Sequence, residues 1–241
     1  MVGVGSMFSR ELNYGGFVSV GTVDWPGRAV CTVFFRGCPL NCWYCHNKKI
    51  RRGKEYVPID YVEKKIRSSK ILITGVVFSG GEATCQIENL KHLIEFSKGE
   101  GLYTALQTCG YFPCVFEDLV KSGLFKVSLD IKASIQNYAA TTGVAFSGKR
   151  AYESLKVCSD LFDSLMLPKF EVVTTVFNNN IEDVYSINEF IRSYSDNVPH
   201  ILQQGIVNKT PEVSITDLYK VAKELRGPIK LRTAVSCEQT V

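Results

Sequence analysis

Short runs of β-branched and aromatic residues alternate with segments of helical periodicity along nearly the whole 241-residue chain. The apolar runs predict strands at Ala29–Phe35, Gly75–Ser79, Tyr103–Thr108, Lys126–Asp130, Lys169–Val176, His200–Gln204 and Ile229–Thr233. Between them Ile59, Val62 and Ile66 share one helical face, as do Ala151, Leu155, Cys158 and Phe162, and again Leu218, Val221, Ala222 and Leu225. Ser214-Ile-Thr-Asp217 reads as the cap of the last stripe, and Gly227-Pro228 as its end. Regular β/α alternation, with no repeat, low-complexity stretch or Pro/Ser-rich linker, predicts an α/β protein. The expected form is a partial, open (β/α)6-type barrel of parallel strands, with residues 17–241 as one domain and residues 1–16 as an irregular or disordered N-terminus. In such folds ligands bind at the C-terminal ends of the strands, so the residues just after each strand carry the information.

Composition narrows the class. The chain is 45% hydrophobic and 22% charged, ordinary for a globular protein that buries a core. Its longest apolar runs, such as Ala29–Phe35, are far too short to cross a bilayer, and the first ten residues lack the basic start and apolar stretch of a secretory signal. A net charge of +4 is too mild to argue for a nucleic-acid partner. The positive charge does concentrate in Lys48, Lys49, Arg51, Arg52 and Lys54. This run is a solvated loop in the plainest reading, and a docking patch for an acidic flavodoxin or ferredoxin in the functional one.

Nine cysteines, an odd number, do not form the even framework of a secreted disulfide scaffold and suit a reducing cytoplasm. Six of them (Cys31, Cys85, Cys109, Cys114, Cys158, Cys237) are scattered and read as buried thiols, with Cys109 and Cys114 a weak candidate pair for a second site. The other three crowd one loop, Arg36-Gly-Cys-Pro-Leu-Asn-Cys-Trp-Tyr-Cys-His-Asn47. Cys38, Cys42 and Cys45 follow a C-x3-C-x2-C spacing that supplies three thiolates and no fourth. A closed zinc site wants four ligands, and so does an electron-carrying 4Fe–4S cluster. Three thiolates leave one iron of a cube open, and an open iron can bind a substrate.

The other strand ends point to the same mouth. Gly80, Gly81 and Glu82 follow the second strand, and adjacent glycines there let a ligand approach the backbone. Gln107-Thr-Cys-Gly110 ends the third strand, placing Thr108 on the cofactor-binding rim, and Ser128-Leu-Asp-Ile-Lys132 ends the fourth. Asp130 and Lys132, two residues apart on a strand, point the same way, as an ordinary strand-end ion pair also would.

These residues resemble a known family. The run Cys38-x3-Cys42-x-Tyr44-Cys45 is similar to the signature of the radical S-adenosylmethionine (SAM) superfamily, and Gly80-Gly81-Glu82 to its motif for the SAM amino group. More narrowly, Gly21-Thr-Val-Asp-Trp-Pro-Gly27, Cys45-His-Asn47, Asp130-Ile-Lys132, Tyr138 and Thr142-Gly143 resemble the glycyl-radical-enzyme activating enzymes. The likeness is greatest to those of anaerobic ribonucleoside-triphosphate reductase, with pyruvate formate-lyase activating enzyme a near relative. The resemblance implies that Cys38, Cys42 and Cys45 ligate a 4Fe–4S cluster whose fourth iron is chelated by SAM. It also implies that Tyr44 lies near the adenine, that Gly80–Glu82 receive the amino group, and that Lys132 approaches the carboxylate. The implied reaction is reductive cleavage of SAM to a 5′-deoxyadenosyl radical, which takes a hydrogen from the Cα of a glycine in a partner glycyl radical enzyme.

Departures from the pattern matter too. Asp130 matches an aspartate that binds a monovalent cation in related activases, but the second position is Gln107, which argues against bound sodium or potassium. Val173 stands where relatives often carry arginine, and Ala83 where proline often follows the glycines. No cysteine occurs between His46 and Thr84, so a ferredoxin-like insert is absent there. Two alternatives remain: a radical SAM enzyme acting on a small molecule or nucleotide, such as a 7-deazaguanine-type synthase, and a non-catalytic iron–sulfur module.

Overall fold

A computed structural model describes residues 10–235 and 238–241. Every strand that the hydrophobic pattern predicts is present: β2 (Val30–Phe35), β4 (Gly75–Gly80), β5 (Tyr103–Thr108), β6 (Lys126–Asp130), β7 (Lys169–Val176), β8 (His200–Gln204) and β11 (Ile229–Arg232). All seven pair in parallel, in the order β11-β8-β7-β6-β5-β4-β2. Three antiparallel strands complete the ten-stranded sheet: β1 (Glu11–Gly21) and β3 (Tyr56–Pro58) at one edge, and β12 (Gln239–Thr240) at the other. The two edges do not pair with each other, so the barrel is open.

The N-terminal expectation needs correction. Residues 1–9 lie outside the described residues, but from Glu11 the chain is a strand rather than an irregular segment. Leu12 is fully buried, while Val18 and Val20 are exposed. The segment Tyr14-Gly-Gly-Phe17 breaks the period-2 pattern, and its register with β2 shifts between Tyr14 and Gly16. That irregularity hides the strand from a search for alternation.

Helices α1 (Ile59–Ser69), α2 (Ile87–Gly99), α3 (Phe116–Ser122), α4 (Tyr138–Thr142), α5 (Ser147–Asp163), α6 (Ile181–Tyr194) and α7 (Ile215–Glu224) connect the strands. The predicted stripes are their buried faces: Val62 and Ile66 on α1, Ala151, Leu155 and Cys158 on α5, Leu218, Val221 and Ala222 on α7. Ser214 caps α7, its hydroxyl accepting the Asp217 N–H at 3.0 Å. A short hairpin of β9 (Ile206–Val207) and β10 (Thr210–Pro211) follows β8. Among the described residues no helix is long and apolar enough to cross a membrane.

Alternation along the parallel strands separates two environments. Val76 and Phe78 face the helices with Cys31, Val33 and Phe35, whereas Val77 joins Val30, Ala105 and Trp25. Trp25, on the loop between β1 and β2, thus closes the floor of the barrel. Its loop is held by Asp24, whose carboxylate accepts the Thr32 hydroxyl at 2.6 Å and whose carbonyl accepts Gln107 Nε2 at 3.1 Å. Above that floor lies a buried ion network: Glu171 meets Lys126 at 3.0 Å and Arg232 at 2.7 Å.

Candidate active site

The three-cysteine loop begins where β2 ends and is closed at its neck. Gly37 N–H donates to the Ile50 carbonyl (2.9 Å), Cys38 N–H to the Arg51 carbonyl (3.1 Å), and Ile50 and Arg51 N–H both donate to the Asn47 carbonyl (3.1 Å each). Asn41 N–H donates to the Thr142 carbonyl at 2.8 Å and ties the loop to α4. Cys38, Cys42 and Cys45 pack with Leu40, Tyr111 and Val144.

Cys109 joins this same group. It is therefore not half of a second site with Cys114, which is exposed. The buried Cys109 thiol beside Cys38 holds the Cys38 thiol below its ordinary range. Burial pushes Cys42 up to about 11, against the pull of Lys132. Cys31 and Cys158 are buried against the helices as expected, Cys85 is exposed rather than buried, and Cys237 lies outside the described residues.

The end of β4 lies directly against the cysteine loop. Gly81 N–H donates to the Phe35 carbonyl (2.8 Å), Glu82 N–H to the Gly37 carbonyl (2.7 Å), and Asn47 Nδ2 to the Gly80 carbonyl (2.9 Å). Only glycine fits here. Gly80 has φ +121°, and a Cβ on it would stand 2.3 Å from the Phe35 carbonyl oxygen; on Gly81 it would stand 2.2 Å from that of Gly37.

Two expected contacts are turned inward. The Glu82 carboxylate is buried and accepts the Thr84 N–H (3.2 Å), the Thr84 hydroxyl (2.6 Å), the Thr108 hydroxyl (2.8 Å) and the Cys109 N–H (2.8 Å). The side chains of Glu82 and Thr108 therefore brace the rim rather than face the mouth. Gln107 is also engaged, accepting the Ser79 hydroxyl at 2.8 Å.

Asp130 and Lys132 do share a face, Lys132 Nζ standing 2.5 Å from Asp130 Oδ2 and 5.7 Å from the centre of the Tyr44 ring. Burial opposes the charge on Lys132, but the Asp130 carboxylate outweighs it and keeps the ammonium well above the ordinary lysine range. Around this pair Tyr44 Oη, Asp130 Oδ1 and Tyr138 Oη are buried without a hydrogen-bond partner. Native proteins leave few such atoms, so three around one lysine suit a polar ligand. Beside them Trp43, Tyr44, Phe177, Asn137, Asn180 and Asp183 line a cleft of about 330 Å³.

The donor set fits a four-iron cluster: three thiols gathered in one group leave one iron of a cube open, whereas a closed zinc site takes four ligands.

A model of the Radical SAM superfamily matches residues 32–191, more than half of the chain. The chain therefore belongs to the radical SAM superfamily, whose members use a 4Fe–4S cluster and SAM. It is 35% identical over 185 residues to the pyruvate formate-lyase-activating enzyme of Clostridium pasteurianum, covering 73% of this chain and 75% of that protein. This places it with the glycyl-radical-enzyme activating enzymes. Among solved structures, TYW1 with a lysine-pyruvate adduct bound is similar at TM-score 0.63 and 15% identity, covering 84% of this chain and 76% of that one. QueE from Escherichia coli is similar at TM-score 0.54 and 16% identity, covering 92% and 94%. At such identities these two likenesses speak for the fold alone.

Proposed function

We propose that the chain installs a glycyl radical on a partner enzyme, most favourably anaerobic ribonucleoside-triphosphate reductase. The observation that carries this reading is one rim on which a three-thiol loop, the tight Gly80–Gly81 backbone and the Asp130–Lys132 pair come together. Cys38, Cys42 and Cys45 would hold three irons. The backbone of Gly80–Glu82 would take the SAM amino group, Lys132 would face the carboxylate, and Tyr44 would lie along the adenine. When bound, cluster and SAM supply one-electron cleavage of the sulfonium and hydrogen-atom abstraction. The chain's own residues orient SAM, keep water from the buried Lys132 side of the rim and leave the mouth open to a glycine-bearing loop.

The motifs around Asp24, Asn47 and Asp130 favour the reductase as client. The Clostridium relative favours pyruvate formate-lyase as the second reading. The exposed Lys48, Lys49, Arg52 and Lys54 beside the loop would receive an acidic flavodoxin or ferredoxin, and the free thiols suit a cytoplasmic setting.

The test is electron paramagnetic resonance of the reduced, SAM-loaded protein mixed separately with each reductase and lyase of its host. A glycyl doublet with the reductase supports the first reading, and a doublet only with the lyase selects the second. Formation of 5′-deoxyadenosine with no doublet on any glycyl radical enzyme would sink both. Cys38→Ala, Cys42→Ala and Cys45→Ala should each abolish 5′-deoxyadenosine.

A further inference from the structure

The Cys45-His-Asn47 run contains two residues that the proposed chemistry leaves unused. His46 donates from Nε2 to the Ile206 carbonyl at 3.0 Å and fastens the loop to the β9–β10 hairpin. Asn47 reaches in the other direction, to the Gly80 carbonyl at 2.9 Å. A carbonyl only accepts, so the side-chain amide must present its NH2 group there.

Gly80 is held in a conformation that no other residue adopts easily. Three hydrogen bonds from neighbouring segments fix the Gly80–Glu82 backbone, and two of them go to the continuation of β2, at Phe35 and Gly37. The third comes from Asn47, beyond the last cysteine of the loop. The Asn47 carbonyl meanwhile accepts both Ile50 and Arg51 N–H, so the residue is anchored in the neck of the loop.

We propose that Asn47 is a positioning residue for SAM: anchored two residues past Cys45, it fixes the Gly80 peptide in the orientation that receives the amino group. This rests on the reading that Gly80–Glu82 form the amino-group site. It makes the site a joint product of the cysteine loop and β4. The preorganised amide aligns the backbone before the ligand arrives, which lowers the cost of binding.

The experiment measures anaerobic equilibrium binding of SAM and of 5′-methylthioadenosine, which lacks the amino acid group, to the cluster-loaded full chain. Iron content is measured in parallel. Asn47→Asp preserves shape but turns an acceptor toward the Gly80 carbonyl, and Asn47→Ala removes the donor. Both should keep four irons per chain, bind SAM at least tenfold more weakly, and bind methylthioadenosine within about twofold of the unmodified protein. Unchanged SAM affinity, an equal loss for both ligands, or joint loss of iron and SAM in both variants would overturn the role of Asn47. An unmodified protein that binds the two ligands equally well would instead overturn the underlying amino-group site.

Discussion

The carboxylate of Glu82 accepts the backbone N–H of Cys109 at 2.8 Å, joining the end of β4 to the residue that follows β5. With Thr84 and Thr108 it forms a closed set of donors around one buried charge. Glu82→Ala would leave those donors unsatisfied and should destabilise the fold by about 2–4 kcal/mol. Glu82→Gln keeps the shape with one acceptor oxygen fewer and should cost less. Urea unfolding of both variants checks the order.

The meeting of Gly81 with Gly37 sets a second expectation. Gly81→Ala would drive a Cβ into backbone that cannot yield, so the rim must shift, with a loss of about 3 kcal/mol or more. Gly99, at the end of α2, has nothing within 4 Å of the point where a Cβ would stand, and Gly99→Ala should be neutral or stabilising by up to about 1 kcal/mol. Thermal unfolding of the pair separates the two environments.

His200 is fully buried, with its ring nitrogens facing the Thr174 hydroxyl and the Asn188 amide. Burial, with Arg192 nearby, lowers its pKa to about 3. The unfolded chain takes up this proton near pH 6.5 and the folded chain does not, so the unfolded state binds more protons over that window. Stability should therefore fall as pH drops from 6.5 toward 3, by about 1.4 kcal/mol per unit from this group. His200→Gln should remove about 1 kcal/mol of the loss between pH 7.5 and 5.5, measured by urea unfolding at each pH.

Glu171 sits among Lys126, Arg232 and Ser128 inside the barrel. Burial pushes its carboxyl up, but Arg232 and Lys126 override this and hold it below the ordinary glutamate range. Glu171→Ala leaves Lys126 buried without its carboxylate and should cost about 3–5 kcal/mol. Equilibrium unfolding at pH 7 checks the loss.

The parallel strands were legible where burial on both faces leaves an apolar run, as in Val76-Val-Phe78 of β4, and elsewhere through the apolar and β-branched residues that fill the middle of mixed strands such as Lys169–Val176. The antiparallel edges were not: β1 loses its alternation at Gly15-Gly16, and β3 and β12 are too short to carry a period. The cysteine loop was legible through ligand spacing alone. Inward turning of Glu82 was not, because its partners Thr84, Thr108 and Cys109 lie up to 27 residues away. Cys109 beside Cys38 depends likewise on the pairing of β4 with β5, which no local spacing records.

An open barrel leaves two sheet margins that could recruit strands from other chains. Here the outermost strands are a three-residue strand ending in Pro58, which covers only Glu11–Asn13 of β1, and a two-residue strand at Gln239–Thr240. Proline withholds a donor, and so few residues give little template for addition. The wall can therefore stay unclosed while its two outermost strands offer neighbours little to pair with.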